Sequence, residues 1–245
     1  MADPIPYKRV LLKLSGETLL GKESFGIDQN ACLEVAAYLK KIRELGVELA
    51  VVIGGGNIFR GIHLKSEGLP RTPADHMGML ATLLNGIALQ QALLSLEVPT
   101  CVMSALECPK VAEAYNWTRS LEYLSKGTIL IFVGGTGNPY FTTDTAAALR
   151  ASEIQADILF KATKVDGVYN KDPLKHPDAM KYEKLTYSQM LAEKLQVMDA
   201  TAVALCQSGG VPIFVFNMRR LVENDLKEVF IHLKKGTLVT EKGDK

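Results

Sequence analysis

The sequence predicts an α/β fold, a three-layer α/β/α sandwich around a largely parallel central sheet. Short apolar runs of strand length recur along the chain, separated by helical segments, the alternation that builds parallel β-α-β units. Several of these runs end in glycines, and in open α/β sheets ligands bind at the carboxyl ends of the strands. At 245 residues, 47% of them hydrophobic, the chain can bury one large core, and one domain is expected. There is no internal repeat and no low-complexity linker.

Arg9-Val10-Leu11-Leu12-Lys13-Leu14 reads as a hydrophobic strand running into Ser15-Gly16-Glu17. A lysine at the end of a central strand is costly to bury unless it meets an anion; on an edge strand it could snorkel to water. The run from Gly16 to Lys22 fits the first seven places of a P-loop. Glu23 then stands where Ser or Thr must ligate magnesium, and no apolar-periodic helix begins there, so the P-loop is rejected.

Residues 28–46 form an amphipathic helix, with Cys32, Val35, Ala36, Leu39 and Ile42 on one face and Gly46 at its C-cap. Residues 47–53 are a buried strand ending in Gly54-Gly55-Gly56-Asn57. This is not a dinucleotide motif, because Phe59 occupies the place of its third glycine. Arg60 follows, and its guanidinium fork matches phosphate oxygens. Between Asp75 and Glu97 no residue is formally charged unless His76 is protonated, and apolar residues go nearly all the way round a helix. Such a helix is buried on more than one side, against the sheet and a second subunit or within a large monomer. Asn85, Gly86, Gln90 and Gln91 argue against a membrane span.

Residues 98–103 are a strand, a helical segment containing Trp117 follows, and 128–133 are a fully buried strand. That strand opens into Gly134-Gly135-Thr136-Gly137-Asn138-Pro139-Tyr140-Phe141-Thr142-Thr143-Asp144 and a helix at 145–150, capped by Thr143 or Asp144. Glycines and hydroxyls before a helix aim backbone N–H groups and the positive end of the helix dipole at one spot. This arrangement holds an anion, most often phosphate; taken singly, it is equally an empty turn. Residues 158–163 are the next strand, leading to a turn at Asp166-Gly167. Helices at 188–195 and 200–207, a strand at 211–216, a helix at 221–231 and a strand at 237–240 complete the chain.

Lysine and arginine number 28 against 27 acidic residues, so the net charge of +1 offers no nucleic-acid-binding field and any anion site is local. Cys32, Cys101, Cys108 and Cys206 lie far apart with no C-x-x-C pair, which points to reduced thiols. The histidines show no metal-ligand spacing. Lys13 interrupts the N-terminal apolar run, so no signal peptide is expected, and the chain reads as soluble and cytoplasmic. Phosphate-friendly loops after Leu14, Ile53 and Val133, with Lys161-Ala162-Thr163 beside them, converge on one sheet edge. One mononucleotide needs one such loop. Several indicate two phosphorylated ligands facing each other, the geometry of phosphoryl transfer.

Lys13-Leu14-Ser15-Gly16-Glu17, Val52-Ile53-Gly54-Gly55-Gly56-Asn57-Ile58-Phe59-Arg60-Gly61, Asp75-His76-Met77-Gly78-Met79-Leu80-Ala81-Thr82, the Gly134 to Asp144 stretch and residues 161–172 resemble, in this order, the bacterial uridylate kinases of the amino-acid-kinase superfamily. The resemblance covers nearly the whole chain. The first glycine loops are shared across the superfamily, whereas the Asp75 block and Thr136-Gly137-Asn138-Pro139 mark the uridylate branch. It implies one amino-acid-kinase domain over residues 1–245, with the N-terminal part mainly for UMP and oligomer contacts and the C-terminal part mainly for ATP. The implied reaction moves the γ-phosphate of ATP to UMP, giving UDP in pyrimidine nucleotide biosynthesis.

By the same resemblance Lys13, Arg60 and Asp199 are catalytic. Lys13 would neutralise the transferring group and Asp199 would hold Lys13 by a charged hydrogen bond, although Asp199 also suits a helix N-cap. ATP would meet Lys13, Leu14, Ser15, Gly16, Gly56, Arg60, Thr163, Tyr169 and Asp172. UMP would meet Gly55, Asp75, Thr136, Gly137, Asn138, Pro139, Tyr140, Phe141, Thr142 and Thr143, with Arg60 near both. Asp75 accepting from both ribose hydroxyls would reject dUMP. Mg²⁺ would ride on the ATP phosphates, with no protein metal site, because no carboxylate cluster offers a cage. Many members are hexamers activated by GTP and inhibited by UTP, with basic residues of the long helix taking the effector phosphates. Here residues 85–94 contain no Lys, Arg or His, so GTP activation is expected to be weak or absent while UTP inhibition persists. Rival readings are a kinase of the same fold acting on a carboxylate, and a nucleotide-responsive regulator without turnover. Retention of Lys13 and Asp199 argues against the second.

Overall fold

Arg9–Leu14 (β1) lies in the middle of a nine-stranded sheet, and its apolar residues are buried on both faces because helices cover both. The computed structural model describes residues 5–59, 68–195, 197–222 and 225–241. After β1 come a 3₁₀ turn at Gly16–Leu19, helix α1 (Gln29–Glu44), strand β2 (Glu48–Ile53) and the long helix α2 (Arg71–Ser95). Next are β3 (Thr100–Ser104), β4 (Glu113–Ala114), α3 (Trp117–Ser125), β5 (Ile129–Val133), α4 (Thr143–Glu153) and β6 (Ile158–Thr163). The C-terminal part holds β7 (Val168–Tyr169), β8 (Lys181–Tyr182), β9 (Lys184–Thr186), α5 (Tyr187–Ala192) and α6 (Ala200–Gly209). It ends with β10 (Ile213–Asn217), α7 (Arg219–Val222), α8 (Leu226–Phe230) and β11 (Gly236–Thr240).

The strand order is β4-β3-β5-β2-β1-β6-β10-β11-β9, and β7 and β8 make a separate antiparallel pair. Within the large sheet β10 and β11 run antiparallel, whereas the other neighbours are parallel. Successive residues of a strand face opposite ways. Leu12, Leu14, Ile53 and Phe160 therefore join the core with α1, α2 and α8, while Leu11, Val52, Leu130 and Leu159 join the opposite core with α4 and α6. Three layers result, as expected from the sequence. In register, Lys13 of β1 is flanked by Val52 on β2 and by Lys161 on β6.

α2 begins at Arg71, four residues before the charge-free stretch. Pro73 is compatible with a first turn, where its missing N–H has no partner to lose. By length and composition α2 could cross a membrane, yet half of its apolar window is buried inside the fold. Met77, Leu80, Leu84 and Leu94 remain exposed on its outer side. The single helix expected at 221–231 is instead two short pieces, α7 and α8.

Candidate active site

Two lysine ammonium groups and one carboxylate meet at the carboxyl ends of β1 and β6. Lys13 Nζ lies 2.9 Å from Asp144 Oδ1, and Lys161 Nζ donates to Asp144 Oδ2 at 2.5 Å. Asp144 is in the first turn of α4, where the helix dipole also favours a negative charge. Burial pushes its carboxyl pKa up, but the Lys13 and Lys161 ammonium groups outweigh this and hold it below the usual range. Lys161 is pushed down to about 8, first by burial and then by Lys13, against the pull of Asp144. The trio carries one net positive charge on mostly buried side chains, so an incoming phosphate finds cations already largely desolvated.

The sequence reading of the helix start is corrected here. Thr142 caps α4, its Oγ1 accepting the N–H of Asp144 and of Thr145, which frees the Asp144 carboxylate for the lysines. The expectation that Asp199 anchors Lys13 is also corrected, because the ion-pair partner of Lys13 is Asp144. Asp199 is the N-cap of α6, accepting Ala202 N–H at 2.9 Å. Its oxygens also accept the hydroxyls of Thr142 at 2.5 Å and Thr145 at 3.1 Å, which ties the starts of α4 and α6 together.

Around this cluster stand the glycine loops. Leu14 O accepts Gly54 N–H at 3.0 Å, so the loops after β1 and β2 leave the sheet side by side. Ser15 Oγ accepts Glu17 N–H and starts the 3₁₀ turn that contains Gly16. Gly55 must be glycine, since a Cβ there would lie 2.8 Å from Gly78 O and Ala81 Cβ. Gly56 stands beside it in the same loop. The loop after β5 turns through positive φ at Gly134, Gly135 and Gly137, and again at Tyr140 (φ 75°). Within it Thr136 Oγ1 accepts Asn138 N–H, and past Pro139 the rings of Tyr140 and Phe141 are exposed. Thr143 opens α4.

Asp75, in α2, holds this loop: its Oδ2 accepts Tyr140 N–H at 2.7 Å. Arg71 stacks on the Tyr140 ring at 4.5 Å and donates to Tyr140 O. On the other side of the lysines, Thr163 Oγ1 closes its own turn through Val165, and Tyr169 OH donates to Asp166. Asp172 Oδ1 accepts Leu174 N–H. Tyr169 and Asp172 line a cleft of about 460 Å³ together with Val165 and Leu195. An adjoining cavity of about 440 Å³ shares Lys194, Leu195 and Val197 with that cleft and continues past Met198 and Asp199 to Asp144. Thr163 is placed at the end of β6 and does not line either cavity. Arg60 lies outside the described residues. Among the described residues no group of three His, Cys, Asp or Glu side chains could hold a metal ion.

Sequence reasoning did not find the roles of Asp144, Asn57 and Asn85. Asp144 was legible only as a helix cap, although an acidic first-turn residue after a glycine loop is a signal in itself. Lys161, placed at the same sheet edge by the sequence, gave the same signal as Lys13, a lysine inside a buried strand; its pairing with Asp144 is what the structure adds. Asn57 and Asn85, both buried, pair with each other beneath the loop after β2, and no spacing rule would have joined them.

Residues 8–217 match the Amino acid kinase family. The uridylate kinase of Protochlamydia amoebophila (strain UWE25) is 69% identical over 96% of this chain and 93% of its own length. That of Legionella pneumophila (strain Paris) is 49% identical over 96% and 94%. The fold is similar to the UMP kinase of Bacillus anthracis, with a TM-score of 0.90 at 36% identity and 97% of each chain covered. It is also similar to the UMP kinase of Ureaplasma parvum, with a TM-score of 0.87 at 39% identity, covering 95% of this chain and 98% of that one. The chain belongs to the amino acid kinase family, in its uridylate kinase branch.

Proposed function

We infer that the protein transfers the γ-phosphoryl group of ATP to UMP, giving ADP and UDP. The observation that carries this is the Lys13–Asp144–Lys161 cluster, set among the glycine loops, with Asp144 lining a cavity that continues into the Tyr169–Asp172 cleft and directly following the loop anchored by Asp75. UMP supplies its own nucleophile: the second pKa of a phosphate monoester is about 6, so it is mostly dianionic at neutral pH and needs no general base. What opposes transfer is repulsion between two polyanions. Lys13 and Lys161 would screen it, and Asp144 would keep both ammonium groups aimed at the mouth of the site. Asp199, through Thr142 and Thr145, would keep the α4 start in place.

The proposed division of the site follows the two sides of the cluster. ATP would extend from Ser15, Gly16 and Gly56 along the cleft toward Tyr169 and Asp172, with Thr163 at the β6 end. UMP would lie under residues 136–143 with Gly55 and Asp75, the carboxylate accepting from the ribose hydroxyls. Mg²⁺ fits as part of the ATP substrate: Asp144 is already engaged by two lysines and Asp199 by two hydroxyls, so ATP phosphates and water would supply most of its oxygens. When bound, it neutralises charge on the transferring phosphates.

The exposed stripe of Met77, Leu80, Leu84 and Leu94 on α2 supports homo-oligomerisation through that face, a hexamer by resemblance. A cavity between α2 and the β3–β4 edge is lined by Gln90, Leu94, Cys101, Lys110 and Glu113, and Glu113 is ion-paired with Arg119 at 2.9 Å. The α2 residues that border it belong to the stretch 85–94, which carries no Lys, Arg or His, and this supports a weak or absent GTP response. UTP inhibition would act at the UMP site, and the setting would be cytoplasmic. A coupled assay with ATP and UMP, CMP, dUMP or glutamate as acceptor tests the reading. UDP formation supports it; a hydroxylamine-trapped acyl phosphate with no UDP refutes it.

A further inference from the structure

One face of α2 bears on three of the strand-end loops. Gly78, Ala81, Thr82 and Asn85 recur at i, i+3, i+4 and i+7, so they form one stripe along the helix. Gly78 and Ala81 pack on Gly55, and Thr82 Oγ1 accepts Gly134 N–H at 2.7 Å. Asn85 and Asn57, at 0% and 2% exposure, form a reciprocal amide pair. Asn57 Nδ2 donates to Asn85 Oδ1 at 2.9 Å and Asn85 Nδ2 donates to Asn57 Oδ1 at 2.7 Å. The remaining amide hydrogens go to Gly26 O at 2.9 Å and Gly54 O at 2.7 Å.

All four amide hydrogens are therefore used, and neither side chain can rotate without leaving a buried polar group unpaired. The loop after β1 touches the same pair: a Cβ on Gly16 would lie 2.3 Å from Asn57 Oδ1 and 2.8 Å from Asn85 Nδ2. A buried polar pair is seldom the most stabilising choice in an apolar helix, where two leucines would pack as well. What the amides add is direction. They fix the distance from α2 to the Gly54 carbonyl and thereby the gap between two loops that flank Lys13.

We propose that Asn57 and Asn85 are positioning residues for phosphoryl transfer, setting the loops after β1 and β2 against α2 so that both nucleotides meet a mouth of fixed width. The proposal rests on the phosphoryl-transfer reading above. Asn85→Asp changes one atom group and removes both donors facing Gly54 O and Asn57 Oδ1. With kinetics expressed per folded molecule, kcat/KM for both substrates is expected to fall on the order of tenfold to a hundredfold. ATP affinity, read separately by calorimetry, is expected to weaken about tenfold. The double variant Asn57→Leu/Asn85→Leu separates position from stability, because replacing both partners by apolar groups removes the orphaned amide. It should regain melting temperature relative to Asn85→Leu alone while kcat/KM stays low. Kinetics and ATP affinity of Asn85→Asp within twofold of wild type overturn the proposal. Recovery of kcat/KM together with melting temperature in the double variant also overturns it. If the double variant fails to fold, Asn85→Asp decides. Wild-type protein that forms no UDP sinks the phosphoryl-transfer reading instead, and the ATP-affinity comparison still tests the loop spacing.

Discussion

Replacing Asp144 by asparagine removes the one carboxylate shared by two buried lysines. The side chains of Lys13, Asp144 and Lys161 are 14%, 16% and 7% exposed, so solvent screens them weakly. At an effective dielectric of about 20, contacts of 2.9 Å and 2.5 Å are each worth roughly 6 kcal/mol before desolvation is counted. Desolvation cancels much of this, and breaking a buried pair by deleting one partner typically costs about 3–5 kcal/mol. For a chain of this size that is a loss of roughly 6–20 °C in melting temperature. The pH dependence identifies the cause. Without Asp144, burial and Lys13 push Lys161 lower still, so the folded variant binds fewer protons than the unfolded chain over a wider range. Its stability must then rise with pH, and the deficit relative to wild type shrinks as pH climbs toward about 8, the wild-type Lys161 value. Turnover should fall on the order of a hundredfold, because both ammonium groups lose their aim. Melting curves at several pH values and a UDP-release assay read all of this. An unchanged melting temperature, or a deficit independent of pH, would refute the electrostatic reasoning.

Three further expectations follow from the same site. Lys161, depressed to about 8, carries its charge below that pH and loses it above, so KM for both nucleotides should rise as pH climbs through 8, and Lys161→Arg should flatten the rise. A KM independent of pH between 7 and 9.5 in wild type would contradict this. dUMP should be used with kcat/KM lower by about 10³-fold or more than UMP, and Asp75→Ala should narrow the gap; equal use of both acceptors removes the ribose role of Asp75. Initial rates should change little on adding micromolar GTP, since residues 85–94 of α2 carry no Lys, Arg or His, and marked activation would overturn that reading.

Much of the fold was legible because its strands are apolar runs with clear ends. The central strand at 158–163 was bounded to the residue. Elements of two or three residues such as β4, β7, β8 and β9 are too short to show a period, and they depend on neighbours brought close by the fold. The glycine loops were legible too, because positive φ and close backbone approach leave few alternatives to glycine. The pairing of charges was not. Asp144 and Asp199 both stand at helix starts, and sequence alone does not say which carboxylate faces Lys13. Tertiary placement decides it, since Thr142 takes the capping role that Asp144 also suited. Asn85 read only as a polar interruption in an apolar helix, because its partner stands 28 residues away.

The central claim is tested most directly by following label from γ-³²P-ATP in wild-type protein and in Lys13→Met, with UMP binding measured in parallel. Labelled UDP should form with wild type, while the variant should lose most of kcat and keep its affinity for UMP. Near-normal turnover in Lys13→Met, or label that never reaches UMP, would contradict the account.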